Sequence, residues 1–119
     1  MKYLCLIVND EKKLEAMGKS AFDDFCIEHL AYETELRKSG NLIAANALES
    51  VRAATTVRVR DGKVSITDGP FAETKEQLGG FFFIEARDLN DAIRVASKIP
   101  SARTGCIEVR PIREIPQPS

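Results

Sequence analysis

Tryptophan is absent, histidine occurs once, and cysteine occurs three times in this chain of 119 residues. Cys5, Cys26 and Cys106 have neither metal-site spacing nor the even count of a disulfide framework. Each lies in an apolar pattern, which predicts small buried thiols and a reducing, cytoplasmic setting. One histidine and scattered carboxylates are too few ligands for a metal centre, so no metal or organic cofactor is expected. A basic surplus is missing too: the formal net charge is −1. A nucleic-acid binder needs cations to neutralise phosphates, and the densest group, Arg58, Arg60 and Lys63, reads as a solvated edge. No apolar run approaches the roughly 18 residues that span a bilayer. After Lys2 only the apolar stretch 3–8 precedes Asn9 and Asp10, so neither a membrane partner nor a secretory leader is expected. Phosphate-binding glycine loops, nucleophile elbows and HExxH are absent from the sequence as well.

The remaining composition, 44% hydrophobic and 29% charged, suits a globular protein, and the length suits one domain over 1–119 with its own core. Tyr3-Leu4-Cys5-Leu6-Ile7-Val8 is a continuous apolar run of strand length, which implies cover on both faces. Residues 9–19 read as a polar connection from which Leu14 and Met17 pack back. Ser20, with Asp23 three residues on, resembles a capping box, and Phe22, Phe25, Cys26, Leu30 and Leu36 keep helical spacing. Gly40 after Arg37 and Lys38 ends that helix, expected over 21–39. Residues 42–48 follow as a strand. Two alternating runs, 55–60 and 63–67, flank Asp61-Gly62, the strongest short-range signal for a two-residue hairpin. In that register Val59 faces Val64 and Val57 faces Ile66. Gly80 to Glu85 is another strand without alternation. Asp88 starts a second helix with the stripe Leu89, Ala92, Ile93 and Ala96, which Pro100 ends. Residues 106–110 form the last strand. Without the hairpin the order is βαββαβ, an α+β ferredoxin-like fold with both helices on one sheet face. The strands at 3–8 and 81–84 then need cover on the second face. No sequence remains to supply it, so a homodimer joined through its sheet faces is expected.

His29 falls near the centre of the first helix's apolar stripe, and Glu33 lies one turn later on the same stripe. Two readings stand: a satisfied structural histidine, or a proton-transfer group in a cavity between helix and sheet. Asp68 shares the hairpin face marked by Val64 and Ile66 and is expected to point inward, or else simply to initiate the turn at Gly69-Pro70. The run from Thr67 to Gly80 is long and charge-rich, as binding loops often are. Its Phe71, Glu73 and Lys75, together with Glu33, are candidate ligand contacts. The competing reading for the loop charges is a solvated turn. Gly79-Gly80 reads as a close backbone approach or a bulge rather than a phosphate cradle.

The run Thr67-Asp68-Gly69-Pro70-Phe71-Ala72-Glu73-Thr74-Lys75-Glu76-Gln77-Leu78-Gly79-Gly80 resembles the signature of the DGPF branch of the YCII-related family. Met1-Lys2-Tyr3-Leu4, Glu35-Leu36-Arg37-Lys38-Ser39-Gly40, Ala47-Leu48, Thr55-Thr56-Val57-Arg58 and Glu108-Val109-Arg110-Pro111 follow the family's pattern in order. The resemblance implies a ferredoxin-like domain pairing into a dimeric α+β barrel, and a His–Asp dyad whose matching candidates are His29 and Asp68. Three functions compete. The first is acid/base chemistry, elimination or isomerisation, on a small organic molecule, with His29 as base and Asp68 or Glu33 orienting it. The second, allowed by the resemblance, is a non-catalytic ligand-sensing or regulatory module associated with extracytoplasmic-function sigma factors. RNA binding through Phe81 to Phe83 ranks last, because the RNP1 pattern and a positive charge are both missing.

Overall fold

The computed structural model describes residues 1–118. Six strands and three helices alternate as β1 (Lys2–Asn9), α1 (Glu11–Ala16), α2 (Lys19–Lys38), β2 (Leu42–Ala47), β3 (Thr55–Arg60), β4 (Lys63–Asp68), β5 (Gln77–Glu85), α3 (Leu89–Ser97) and β6 (Cys106–Pro111). Single 3-10 turns lie at Val51–Ala53 and Pro100–Ala102. The main sheet is antiparallel, in the order β2-β5-β1-β6, and β3 and β4 form a separate two-stranded sheet. Leaving the β3–β4 hairpin and α1 aside, this is the ferredoxin-like βαββαβ arrangement.

The period-two rule decides which side of the main sheet is core. Tyr3, Cys5 and Ile7 of β1 are buried, together with Phe82 and Ile84 of β5. The register sets Tyr3 opposite Ile84 and Cys5 opposite Phe82. Against them pack Tyr32 and Leu36 of α2, and Ala92, Val95 and Ala96 of α3, with Ile99 just beyond that helix. The Tyr32 hydroxyl donates to the Val95 carbonyl at 2.6 Å, which satisfies the one polar atom that this ring brings inside. The alternate residues Leu4, Leu6, Val8, Phe81 and Phe83 lie on the opposite face and are half-buried.

Several expectations need correction. Residues 9–19 are not a plain connection. Asp10 accepts from the Lys12 amide and caps α1, a helix too polar to show an apolar stripe. The α2 helix starts at Lys19 behind Gly18, whose φ of 86° suits glycine, and Ser20 lies inside it rather than capping it. Its covered face is centred on Phe25, Tyr32 and Leu36, whereas Phe22, Cys26 and Leu30 are exposed. Of the cysteines, only Cys5 is buried; Cys26 and Cys106 are exposed free thiols.

The hairpin forms in the expected register, Val59 opposite Val64 and Val57 opposite Ile66. Its apolar side, however, is not covered: Val64 and Ile66 are 65% and 68% exposed. The arm stands away from the body, and the Cα radius of gyration is 16.5 Å. A compact chain of this length would give about 13.5 Å.

Candidate functional site

One cavity of about 460 Å³ opens between α2 and the sheet, and α1 forms part of its rim. Helical spacing explains one wall. Phe22, Phe25, His29 and Glu33 recur every three or four residues, so one face of α2 turns them all toward the same space. The far wall is sheet, with Ile7 of β1 and Phe82 of β5. Beside them β5 passes very close to β2: a Cβ on Gly80 would stand 2.8 Å from the Asn46 carbonyl oxygen. Gly80 therefore permits a close backbone approach. At the rim, Glu11 accepts from the Ser50 hydroxyl and from the Val51 amide, both at 3.0 Å. Its own amide donates to Gln77 Oε1, so the start of α1 fastens two loops around the opening.

His29 is hydrogen-bonded through both ring nitrogens. Nδ1 lies 2.8 Å from the Phe25 carbonyl oxygen, and Nε2 lies 2.8 Å from Ser101 Oγ. A carbonyl can only accept, so Nδ1 carries the proton. In the neutral imidazole Nε2 is then the basic atom, accepting from the Ser101 hydroxyl. The Phe25 ring meets the imidazole edge-on, with centroids 4.6 Å apart, and holds its plane. Glu33 lines the cavity one turn beyond His29 and makes no hydrogen bond or ion pair among the described residues. The cavity's one lysine, Lys19, is paired to Asp23 at 2.8 Å.

Two residues of this site went unnoticed in the sequence. Ser101, 2% exposed, comes from the turn after α3 and meets His29 across 72 positions of chain, which no local pattern announces. Asn9, 4% exposed, had a usable signal: it continues the alternation Tyr3, Cys5, Ile7 onto the covered face. Its Oδ1 accepts from the Thr104 hydroxyl at 2.8 Å. Gly105 makes this junction possible, since a Cβ there would lie 2.0 Å from the Val8 carbonyl oxygen.

The expected residues thus divide. His29 and Glu33 share the cavity; Asp68, Phe71, Glu73 and Lys75 are exposed and do not line it. Asp68 keeps the face that alternation gave it, but that face belongs to a separate sheet, so within one chain it is not brought to His29. Instead, the Gly69 amide donates to the Ala54 carbonyl and the Thr56 hydroxyl to the Gly69 carbonyl, both at 2.7 Å. Phe71 is 83% exposed. No cluster of metal-ligating side chains occurs among the described residues, and no helix there is long and apolar enough to cross a membrane.

The fold is that of a ferredoxin-like α+β protein with a cavity under its first long helix. The YCII-related domain model matches residues 1–116, and the chain belongs to that family. An uncharacterised protein of Rhizobium meliloti (strain 1021) is 36% identical over 114 residues, covering 94% of this chain and 92% of its own. Among solved structures, the 5-chloro-2-hydroxyhydroquinone dehydrochlorinase of Burkholderia phenoliruptrix AC1100, in complex with 2,5-dihydroxybenzoquinone, superposes with a TM-score of 0.55. It covers 95% of this chain and 94% of its own at 16% identity, a likeness of fold.

Proposed function

We propose that this cavity binds a small organic molecule and that His29 moves a proton on it, in an elimination or an isomerisation. The observation that carries this reading is the doubly anchored imidazole on the cavity wall. Its tautomer is set by a backbone carbonyl, and its basic nitrogen is turned to a hydroxyl within the cavity. The volume falls within the range of small-molecule sites, about 300–1,000 Å³, and three phenylalanines on the wall suit a ring-sized ligand. The neighbouring structure's name describes a dehydrochlorinase, which supports elimination as the reaction class. His29 works here with Ser101 and Glu33, not with Asp68 of its own chain. A second copy of the chain covering the half-buried Leu4, Leu6, Phe81 and Phe83 completes the proposal, as does a reducing cytoplasm for the exposed Cys26 and Cys106. Light scattering that gives the mass of one chain at micromolar concentration would contradict the pairing.

The cavity assignment is tested with 4-nitrophenol as probe, by calorimetric titration of the wild type and of His29→Ala. Binding should weaken at least about tenfold in the variant, the size of one hydrogen bond to a charged group. An unchanged affinity accompanied by a large fall in thermal midpoint would show that His29 is structural.

A further inference from the structure

Apart from the tyrosines, three polar side chains are buried among the described residues, Asn9, Asp91 and Ser101, and two of them line the same cavity. Buried polar atoms are costly unless paired, so each pairing can be accounted for. The Asp91 carboxylate is fully engaged, accepting from the Arg87 amide and from the guanidinium groups of Arg87 and Arg94. Ser101 is engaged by His29. Asn9 is engaged on one side only: Thr104 donates to Oδ1, and the amide nitrogen Nδ2 meets no protein acceptor among the described residues. No sealed polar atom lacks a partner there, so Nδ2 reaches open space, and the space beside this buried residue is the cavity. Thr104 thus fixes the amide through its oxygen and leaves its N–H donors to an occupant of the cavity.

We propose that Asn9 and Ser101 form an oxyanion-binding pair, and that the substrate is a small uncharged carbonyl compound with an acidic hydrogen beside the carbonyl. This inference rests on the proton-transfer reading of the cavity. The step balances within the chain. The substrate C–H bond breaks, its electron pair passes to the carbonyl oxygen, and its proton goes to Ser101 Oγ. The hydrogen that Ser101 held passes to His29 Nε2, and the imidazolium keeps Phe25 as acceptor for Nδ1–H. Once protonated, Nε2 donates to Ser101 Oγ, so the serine hydrogen turns to the new oxyanion beside the Asn9 amide. Such donors act on charge that appears during reaction, and removing one typically costs about 10²–10³ in rate. Substrate neutrality follows from the wall. Glu11 and Glu33 line it without an ionic partner, Glu15 is paired to Arg52, and the one lysine is held by Asp23, so a permanent anion has no free cation to meet.

The test uses 4-nitrophenol, which enters uncharged and mimics the enolate when it ionises. At a pH below its own pKa, the wild type should bring up the phenolate absorbance while the His29 ring signals in nitrogen-15 NMR move to the imidazolium form. Asn9→Asp keeps the acceptor for Thr104 but removes the donors; it should cut phenolate uptake at least about tenfold, as a lost hydrogen bond to a charge does. Ser101→Ala, which leaves Asn9 intact, should lose a comparable amount. If the phenol shifts His29 in the wild type without ionising, or if Asn9→Asp ionises it as well as the wild type does, the oxyanion pair is wrong and the proton-transfer cavity stands. If His29 does not respond at all, both readings fall.

Discussion

The main sheet and the β3–β4 arm obey the same alternation, yet one is a core and the other a bare ribbon. In the sheet, Cys5, Phe82 and Ile84 meet two helices and lose their water. In the arm, Val57, Val59, Val64 and Ile66 pair with equal regularity and stay exposed. Alternation therefore fixes which side chains share a face; what covers the face depends on segments far away in sequence. The same lesson applies to the site. His29 and Glu33 share a face by helical spacing and find the cavity because α2 packs on the sheet, while Asp68 shares a face with residues that stay exposed among the described residues.

The largest test of that contrast is a pair of truncations. Ile84→Ala removes a fully buried side chain and should cost about 2–5 kcal/mol in denaturant unfolding. Ile66→Ala, at 68% exposure, should lie within roughly 0.5 kcal/mol. A cost for Ile66→Ala near that of Ile84→Ala, growing with protein concentration, would break the comparison, because another chain would then be covering the arm.

A smaller effect is expected from alkaline pH. Burial pushes the Cys5 thiol up to about 11 from 9.0. Burial, then the nearby Glu35, pushes the Tyr32 phenol up to about 12 from 10.0. Both groups fold in their neutral forms. Their contribution is complete below the unfolded values of 9.0 and 10.0 and is lost as pH climbs toward 11 and 12. The denaturant midpoint should therefore slope downward across that window, and Cys5→Val should flatten the lower part of the slope. The arm holds neither group, and its amide chemical shifts should respond later than those of β1.

Much of the fold was legible because its signals are local: Asp61-Gly62 between alternating runs, Gly40 after Arg37 and Lys38, Asp88 capping α3. The short helix α1 was not, since one turn and a half of charged residues around Leu14 carries no periodicity. Of the site, helical spacing disclosed His29 and Glu33. Asn9 could have been reached by extending the β1 alternation by one step. Ser101 could not, because its meeting with Nε2 depends on how the turn after α3 lies against α2.

The proposed chemistry depends on how one imidazole is held, and the chain has one histidine, so its ring signals are unambiguous. A long-range proton–nitrogen-15 correlation of the free protein, recorded with the imidazole neutral, reads the tautomer directly. The prediction is a proton on Nδ1, held by Phe25, and a pyridine-like Nε2 whose shift changes in Ser101→Ala. A proton on Nε2, or averaged shifts indifferent to Ser101, would contradict it.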